Sequence, residues 1–150
     1  MPHSYSSLLA HIVTATKNRQ PLIDATLEER LFPYLGGIVR QLGGTLCTVN
    51  GTEDHIHLLV QLPASLSVAE AVGKIKGNSA HWIHESFSKR SSFAWQRGYG
   101  AFSVSKSIMP RVAAYIERQK EHHAKRPLQE EYVHLLRRHG VVVDERYLWT

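Results

Sequence analysis

Hydrophobic residues change their spacing several times along this chain, and each change marks an element. Residues 6–16, SSLLAHIVTAT, are apolar and β-branched enough to predict a first strand, closed by the polar turn KNRQP. TLEE then forms a capping box, Thr26 to Glu29, and Leu27, Leu31, Leu35, Ile38 and Leu42 recur at helical spacing until Gly43 and Gly44 stop the helix. Pro33 falls inside that pattern and predicts a kink or a delayed start. TLCTVNG predicts a second strand, and Asn50-Gly51 is a hairpin signal leading into a third, EDHIHLLVQL.

After Pro63 a second capping box, Ser67 to Glu70, opens a helix with Val68, Val72, Ile75, Trp82 and Ile83 as its apolar positions. FAWQRGYGAFSVS reads as a fourth strand. Ser107 then caps a last core helix running through His123, with Pro110 tolerated in its first turn, and residues 127–140 form a short terminal helix. The order β-α-β-β-α-β-α predicts a single α+β domain over residues 1–150: a ferredoxin-like split β-α-β antiparallel sheet with an added C-terminal helix and a short terminal helix. That fold hosts many functions and decides none.

A chain of 150 residues that is 43% hydrophobic can bury one substantial core. Its one cysteine, Cys47, excludes an internal disulfide and a multi-thiolate zinc site, so a reducing, cytoplasmic setting is expected. No signal-like pattern and no apolar run near the roughly 18 residues that span a bilayer is present, so no membrane partner is expected. The net charge of +5 is unevenly spread. From Lys74 to Arg126 there are eleven Lys and Arg against three Glu, leaving the rest net acidic, and such a segment suits either a polyanion or a solvated basic face.

Chemistry enters through the third strand. Side-chain alternation puts Ile56, Leu58, Val60 and Leu62 on one face, plainly core, and His55, His57, Leu59 and Gln61 on the other. Two imidazoles on one face are half of a metal site, and equally fit an inert solvated strand face. Three enzyme patterns are ruled out by reading onward. A histidine triad needs a third His where Leu59 stands, a two-motif phosphoesterase needs a second H-x-[ST], and a zincin needs H-E-x-x-H. GKIKGNS is not a phosphate loop either, because its order is wrong and no strand directly precedes it.

The last core helix offers a completion. Tyr115 and Gln119 are four apart, about one turn or 6 Å along the axis. Gln119 can give an amide oxygen as a third ligand. Tyr115, near Lys106, Arg111 and Arg118, is a candidate nucleophile whose phenol, ordinarily ionising near about 10, needs a cation to act on a phosphodiester. By spacing alone the two also fit an ordinary helix aromatic and a surface amide.

DHIHLLV followed about sixty residues later by YIERQKEHH resembles the single-tyrosine HUH transposases of small bacterial insertion sequences and their repeat-associated relatives. HIVTATKNRQPLI, KIKGNSAHWI and WQRGYGAFSVS also resemble that family's first strand, second helix and fourth strand, so the likeness covers nearly the whole chain. The resemblance implies that His55, His57 and Gln119 bind a divalent metal, Mg²⁺ or Mn²⁺, and that Tyr115 attacks single-stranded DNA folded into hairpins, leaving a 5′-phosphotyrosine. It further implies a homodimer with composite sites, one subunit's histidines facing the other's tyrosine helix. For the DNA path the expectations are Lys17 and Arg19 after the first strand, Lys74 and Lys76 on the second helix and Arg97 near the fourth strand, with Trp95 and Tyr99 stacking on unpaired bases. The rival reading is a non-catalytic or domesticated nucleic-acid-binding module on the same sheet. Loss of the tyrosine or a histidine would mark it, and all are present.

Overall fold

A computed structural model describes residues 4–149. Four strands, β1 (Leu9–Ala15), β2 (Thr45–Gly51), β3 (His55–Gln61) and β4 (Gly100–Val104), form one antiparallel sheet in the order β2-β3-β1-β4. Helices α1 (Ala25–Gln41) and α2 (Val68–Ser86) connect them as a split β-α-β unit, and α3 (Met109–Glu117), α4 (Gln119–His123) and α5 (Leu128–Arg138) follow. The ferredoxin-like α+β arrangement expected from the sequence is therefore present.

The β3 alternation decides how the layers stack. Ile56, Leu58 and Val60 enter the main core with Leu27, Leu31 and Leu35 of α1 and Val72, Ile75 and Ile83 of α2. The other face, predicted half-open, is also covered. Leu9, Leu59 and Val104 pack against Ile116 of α3, while Val13 and Phe102 pack against Tyr132 and Leu135 of α5. His55 and His57 are consequently 0% exposed, not solvated. Gly100 permits the α5 contact, because a Cβ there would lie 2.7 Å from the Tyr132 ring.

Several boundaries differ from the sequence reading, each for a local reason. Asp24, not Thr26, caps α1, accepting from the Leu27 amide at 2.9 Å while Arg90 holds its carboxylate at 2.8 Å. Pro33 neither delays the helix start nor ends it, since α1 runs from Ala25 to Gln41 with Pro33 inside. The hairpin turn is Thr52-Glu53-Asp54, and Asn50 and Gly51 are still strand, paired with His57 and Ile56. Gly51 serves close approach instead, as a Cβ there would collide with the His55 carbonyl. The fourth strand is only Gly100–Val104. Residues 93–99 wind irregularly, touching the sheet through one bridge between Thr16 and Trp95. Ser107 does not cap α3; its hydroxyl meets Ser105 at 3.0 Å, and Ile108 stands at the cap without a side-chain bond.

The last core helix also breaks at Arg118, with φ −96° and ψ 15°. Asn50 Nδ2 donates to the freed Glu117 carbonyl at 2.9 Å, and Lys120 ties the next turn to Asn50 and the Gly51 carbonyl. Ser67 caps α2 as expected, accepting from the Glu70 amide at 3.1 Å.

Replacing Asp24 by Ala should cost about 1 kcal/mol of unfolding free energy and Thr26→Ala much less, measured by urea denaturation. The reverse order would contradict this cap. Leu58→Ala, emptying a fully buried site, should cost about 2–5 kcal/mol.

Candidate metal centre and tyrosine

Alternation on β3 sends His55 and His57 toward α3–α5, and the antiparallel register sets β1 beside them with Val13 opposite His57. His11, two residues before Val13, shares that face and brings its Nε2 to 2.8 Å from His57 Nδ1. Across from them Gln119, the first residue after the helix break, is fully buried with Oε1 3.2 Å from His55 Nε2. Tyr115 lies one turn earlier, its ring centroid 6.0 Å from His57 and 6.3 Å from His11, stacked on His122 at 4.8 Å. The structure thus brings together all four residues singled out from the sequence.

It also adds residues the sequence reading missed. Glu131 projects from α5 between the imidazoles, with Oε1 3.0 Å from His57 Nε2 and 3.2 Å from His123 Nε2, while Gln119 Nε2 donates to its other oxygen at 3.4 Å. One ligand atom each from His55, His57, His123 and Glu131 lies within 4.8 Å of the others. The sequence did carry a signal. In LQEEYVHLL an acid stands within the apolar stripe of Leu128, Tyr132 and Leu135, and Glu131 is 3% exposed.

The protonation pattern fits a cation. Burial pushes the Asp54 carboxyl up, but the His55 contact at 2.8 Å outweighs it and holds the group below its usual range, so it stays an ionised acceptor. His55 Nδ1 therefore carries a hydrogen, and an Nε2 without one would set its lone pair against the Gln119 amide oxygen 3.2 Å away. Two acceptors at that distance are stabilised by a positive species between them, a proton or a metal ion. His57 Nε2 is buried with no hydrogen-bond partner, since its approach to Glu131 lacks hydrogen-bond alignment. The donor set, imidazoles with a carboxylate and an amide oxygen, suits a divalent ion. His11 supplies the outer contact that fixes the His57 ring.

Burial lowers His57 to about 4 against the pull of Glu131, and burial with the neighbouring His57 lowers His11 to about 3. Burial would raise Glu131, yet the His123 hydrogen bond and the His57 imidazole 3.0 Å away prevail and keep it well below the usual carboxylate range. Burial first, and then the Glu131 carboxylate, push the Tyr115 phenol well above its ordinary value.

The expected DNA-path residues are not gathered at this cluster. Lys74 and Lys76 belong to α2, which packs on the opposite face of the sheet, and Lys76 Nζ is spent on the Arg97 and Gly98 carbonyls at 2.9 and 3.1 Å. Lys17 and Arg19 lie in a single 3-10 turn after β1, Arg19 over the Trp149 ring at 4.8 Å. Arg97 is exposed in the irregular segment before β4. Trp95 is core, 9% exposed and bonded through Nε1 to Ser79, so stacking on bases is not open to it; Tyr99 is 37% exposed.

Fold and site together define a split β-α-β protein with a buried histidine and glutamate cluster beneath a tyrosine-bearing helix. Residues 4–119 match the family described as "Transposase IS200 like", and the chain belongs to that family of transposases. The transposase for insertion sequence element IS200 of Salmonella typhimurium is 26% identical over 126 residues, covering 81% of this chain and 82% of that protein. The ISDra2 transposase TnpA of Deinococcus radiodurans is 23% identical over 116 residues, covering 74% and 83%. Among solved structures, a putative transposase from Deinococcus radiodurans has the same fold with a TM-score of 0.63 at 24% identity, covering 78% of this chain and 94% of that one. A REP-associated tyrosine transposase bound to a REP hairpin has a TM-score of 0.60 at 15% identity, covering 81% and 72%. The family match ends at Gln119, so Glu131 and all of α5 lie beyond it. No helix among the described residues is long and apolar enough to cross a membrane.

In the metal-free protein the neutral His11 and His57 make stability pH-dependent. Their folded values lie below the unfolded value of 6.5, so the unfolded chain takes up these protons first and stability falls as the pH drops from 6.5 toward about 4 and 3. Scanning fluorimetry in chelator should show Tm falling through that window, less steeply in His11→Gln. A flat Tm would contradict the neutral buried pair.

Proposed function

We propose that this transposase cleaves and rejoins single-stranded DNA at hairpin-bearing element ends, with Tyr115 as nucleophile and His55, His57 and Gln119 as ligands of a divalent metal, Mg²⁺ or Mn²⁺. The observation that carries this reading is the convergence of Tyr115 and Gln119 on the two histidines, with a buried Nε2 lacking a hydrogen-bond partner at the centre. The likeness to a transposase bound to a REP hairpin supports a hairpin-bearing substrate. Imidazole-rich ligation favours Mn²⁺ over Mg²⁺. Glu131 and His123 stand as further donors to the same ion.

Bound there, a divalent cation would polarise the phosphodiester and offset the Glu131 charge beside the phenol. The phenol oxygen of Tyr115 forms a bond to phosphorus and gives up its proton, while the bond from phosphorus to the 3′ oxygen breaks and that oxygen gains a proton. The products are a 5′-phosphotyrosine and a free 3′-hydroxyl, and attack by a 3′-hydroxyl on the phosphotyrosine reverses the sequence, so strands rejoin without a nucleotide cofactor. Tyr115 is held for this by Ile116 packing against β1, β3 and β4 and by His122 stacked on its ring.

Tyr115→Phe should abolish the covalent protein–DNA adduct on a hairpin oligonucleotide while leaving binding intact; an adduct persisting in that variant would remove Tyr115 as nucleophile. His57→Ala should lose both metal-dependent cleavage and Mn²⁺ binding by calorimetry, and unchanged binding would refute the metal site. Tyr115 stands beside the His57 of its own chain, so mixing Tyr115→Phe with His57→Ala protein should not restore cleavage. Restoration would establish a homodimer with shared sites.

A further inference from the structure

Beside Tyr115, between β4, α3 and α5, lies a solvent-reachable hollow of ≈ 360 Å³, within the roughly 300–1,000 Å³ of small-ligand sites. We propose that it is a subsite for one unpaired nucleotide of the DNA strand, the one flanking the phosphodiester that Tyr115 attacks. The proposal rests on the reading of Tyr115 as a nucleophile toward single-stranded DNA.

Its lining has the chemistry of a nucleotide in two parts. Phe102, Val112 and Leu135 make an apolar floor, and Ile108 stands at the rim 43% exposed, an apolar side chain left in water. An unpaired base is a flat, largely apolar body that such a surface takes up without reading its edges. Arg111 from α3 and Arg138 from α5 face the hollow from two walls, and no Asp or Glu lines it. Both arginines are exposed, and neither makes an ion pair among the described residues. Two unpaired guanidinium groups over an apolar floor select an anion that carries a ring, and the phosphate of the same nucleotide supplies the charge.

Arg111 is the more telling of the two. It stands in the first turn of α3, a turn without an acid, where the positive end of the helix dipole disfavours a cation. Arg138 closes α5, where a cation is favoured for stability alone. The hollow lined by Arg126, Glu130, Arg137 and Glu145 shows the contrast, because there acids balance the bases and no net attraction for phosphate remains. Tyr115 and His11 form the inner wall of the proposed subsite, so a nucleotide lodged in it would hold its neighbouring phosphate next to the phenol and the His57 ring.

The test is binding in chelator, where no cleavage occurs, by fluorescence anisotropy of a labelled hairpin with a dT tail of about twelve nucleotides, against the same hairpin with an abasic tail of equal charge. Wild-type protein should prefer the dT tail about tenfold, the size of one base contact. Val112→Trp, which enlarges a floor side chain of the hollow without changing charge, should erase that preference and leave abasic affinity unchanged. Arg111→Ala should weaken both probes and reduce the salt slope by about 0.7. Thermal melts check that each variant is folded. A dT preference that survives Val112→Trp in folded protein, with Arg111→Ala without effect, overturns the subsite and leaves the single-strand reading standing. Absence of single-strand binding by the wild type overturns both.

Discussion

A carboxylate buried among imidazoles governs the second face of this sheet. Glu131 is 3% exposed and ionised, a state that costs several kcal/mol unless charge or hydrogen bonds compensate it. His57 of β3, with His123 and Gln119 of α4, provide that compensation, so the same contacts that satisfy Glu131 also fasten α5 and α4 onto β3. Tyr132, the next residue, packs on Gly100 and Phe102 and secures α5 to β4. The histidines are buried because α5 is there, and α5 is there partly because the histidines offer its acid a partner.

The chemistry follows from this arrangement. Desolvation keeps His57 and His11 neutral, so their nitrogens offer lone pairs rather than positive charge. Burial first, and then the Glu131 carboxylate, raise the Tyr115 phenol above its ordinary value and keep it protonated. In the proposed mechanism a bound cation would offset that carboxylate beside the phenol. The arginines of the neighbouring hollow stand on its exposed side, with the buried donors behind the phenol.

What the sequence disclosed follows the reach of its periodicities. The period of two on β3 was enough to separate Ile56 and Leu58 from His55 and His57, and four-residue spacing paired Tyr115 with Gln119 even though Arg118 breaks the helix between them. Ser67 was legible as a cap because nothing competes with it. Thr26 was not, because Asp24 stands two residues earlier and is pinned by Arg90 from a distant loop, a tertiary contact no local pattern contains. Glu131 and His123 escaped notice for a similar reason. Their roles appear only when α5 folds back across the sheet, although an acid inside an apolar helical stripe was a visible anomaly. Charge counting pointed to a polyanion correctly in class, but Lys74 and Lys76 fall on the far layer of the fold, which linear clustering cannot reveal.

The central claim is that His55 and His57 are ligands of a divalent ion and not merely buried hydrogen-bonding side chains. Anomalous diffraction at the manganese edge from crystals grown with Mn²⁺ tests it most directly. The account predicts one strong anomalous peak bonded to His55 Nε2 and His57 Nε2, on the Tyr115 side of the sheet. A cluster with no peak, its imidazoles still closed on Glu131 while Mn²⁺ occupies other sites in the same crystal, would contradict it.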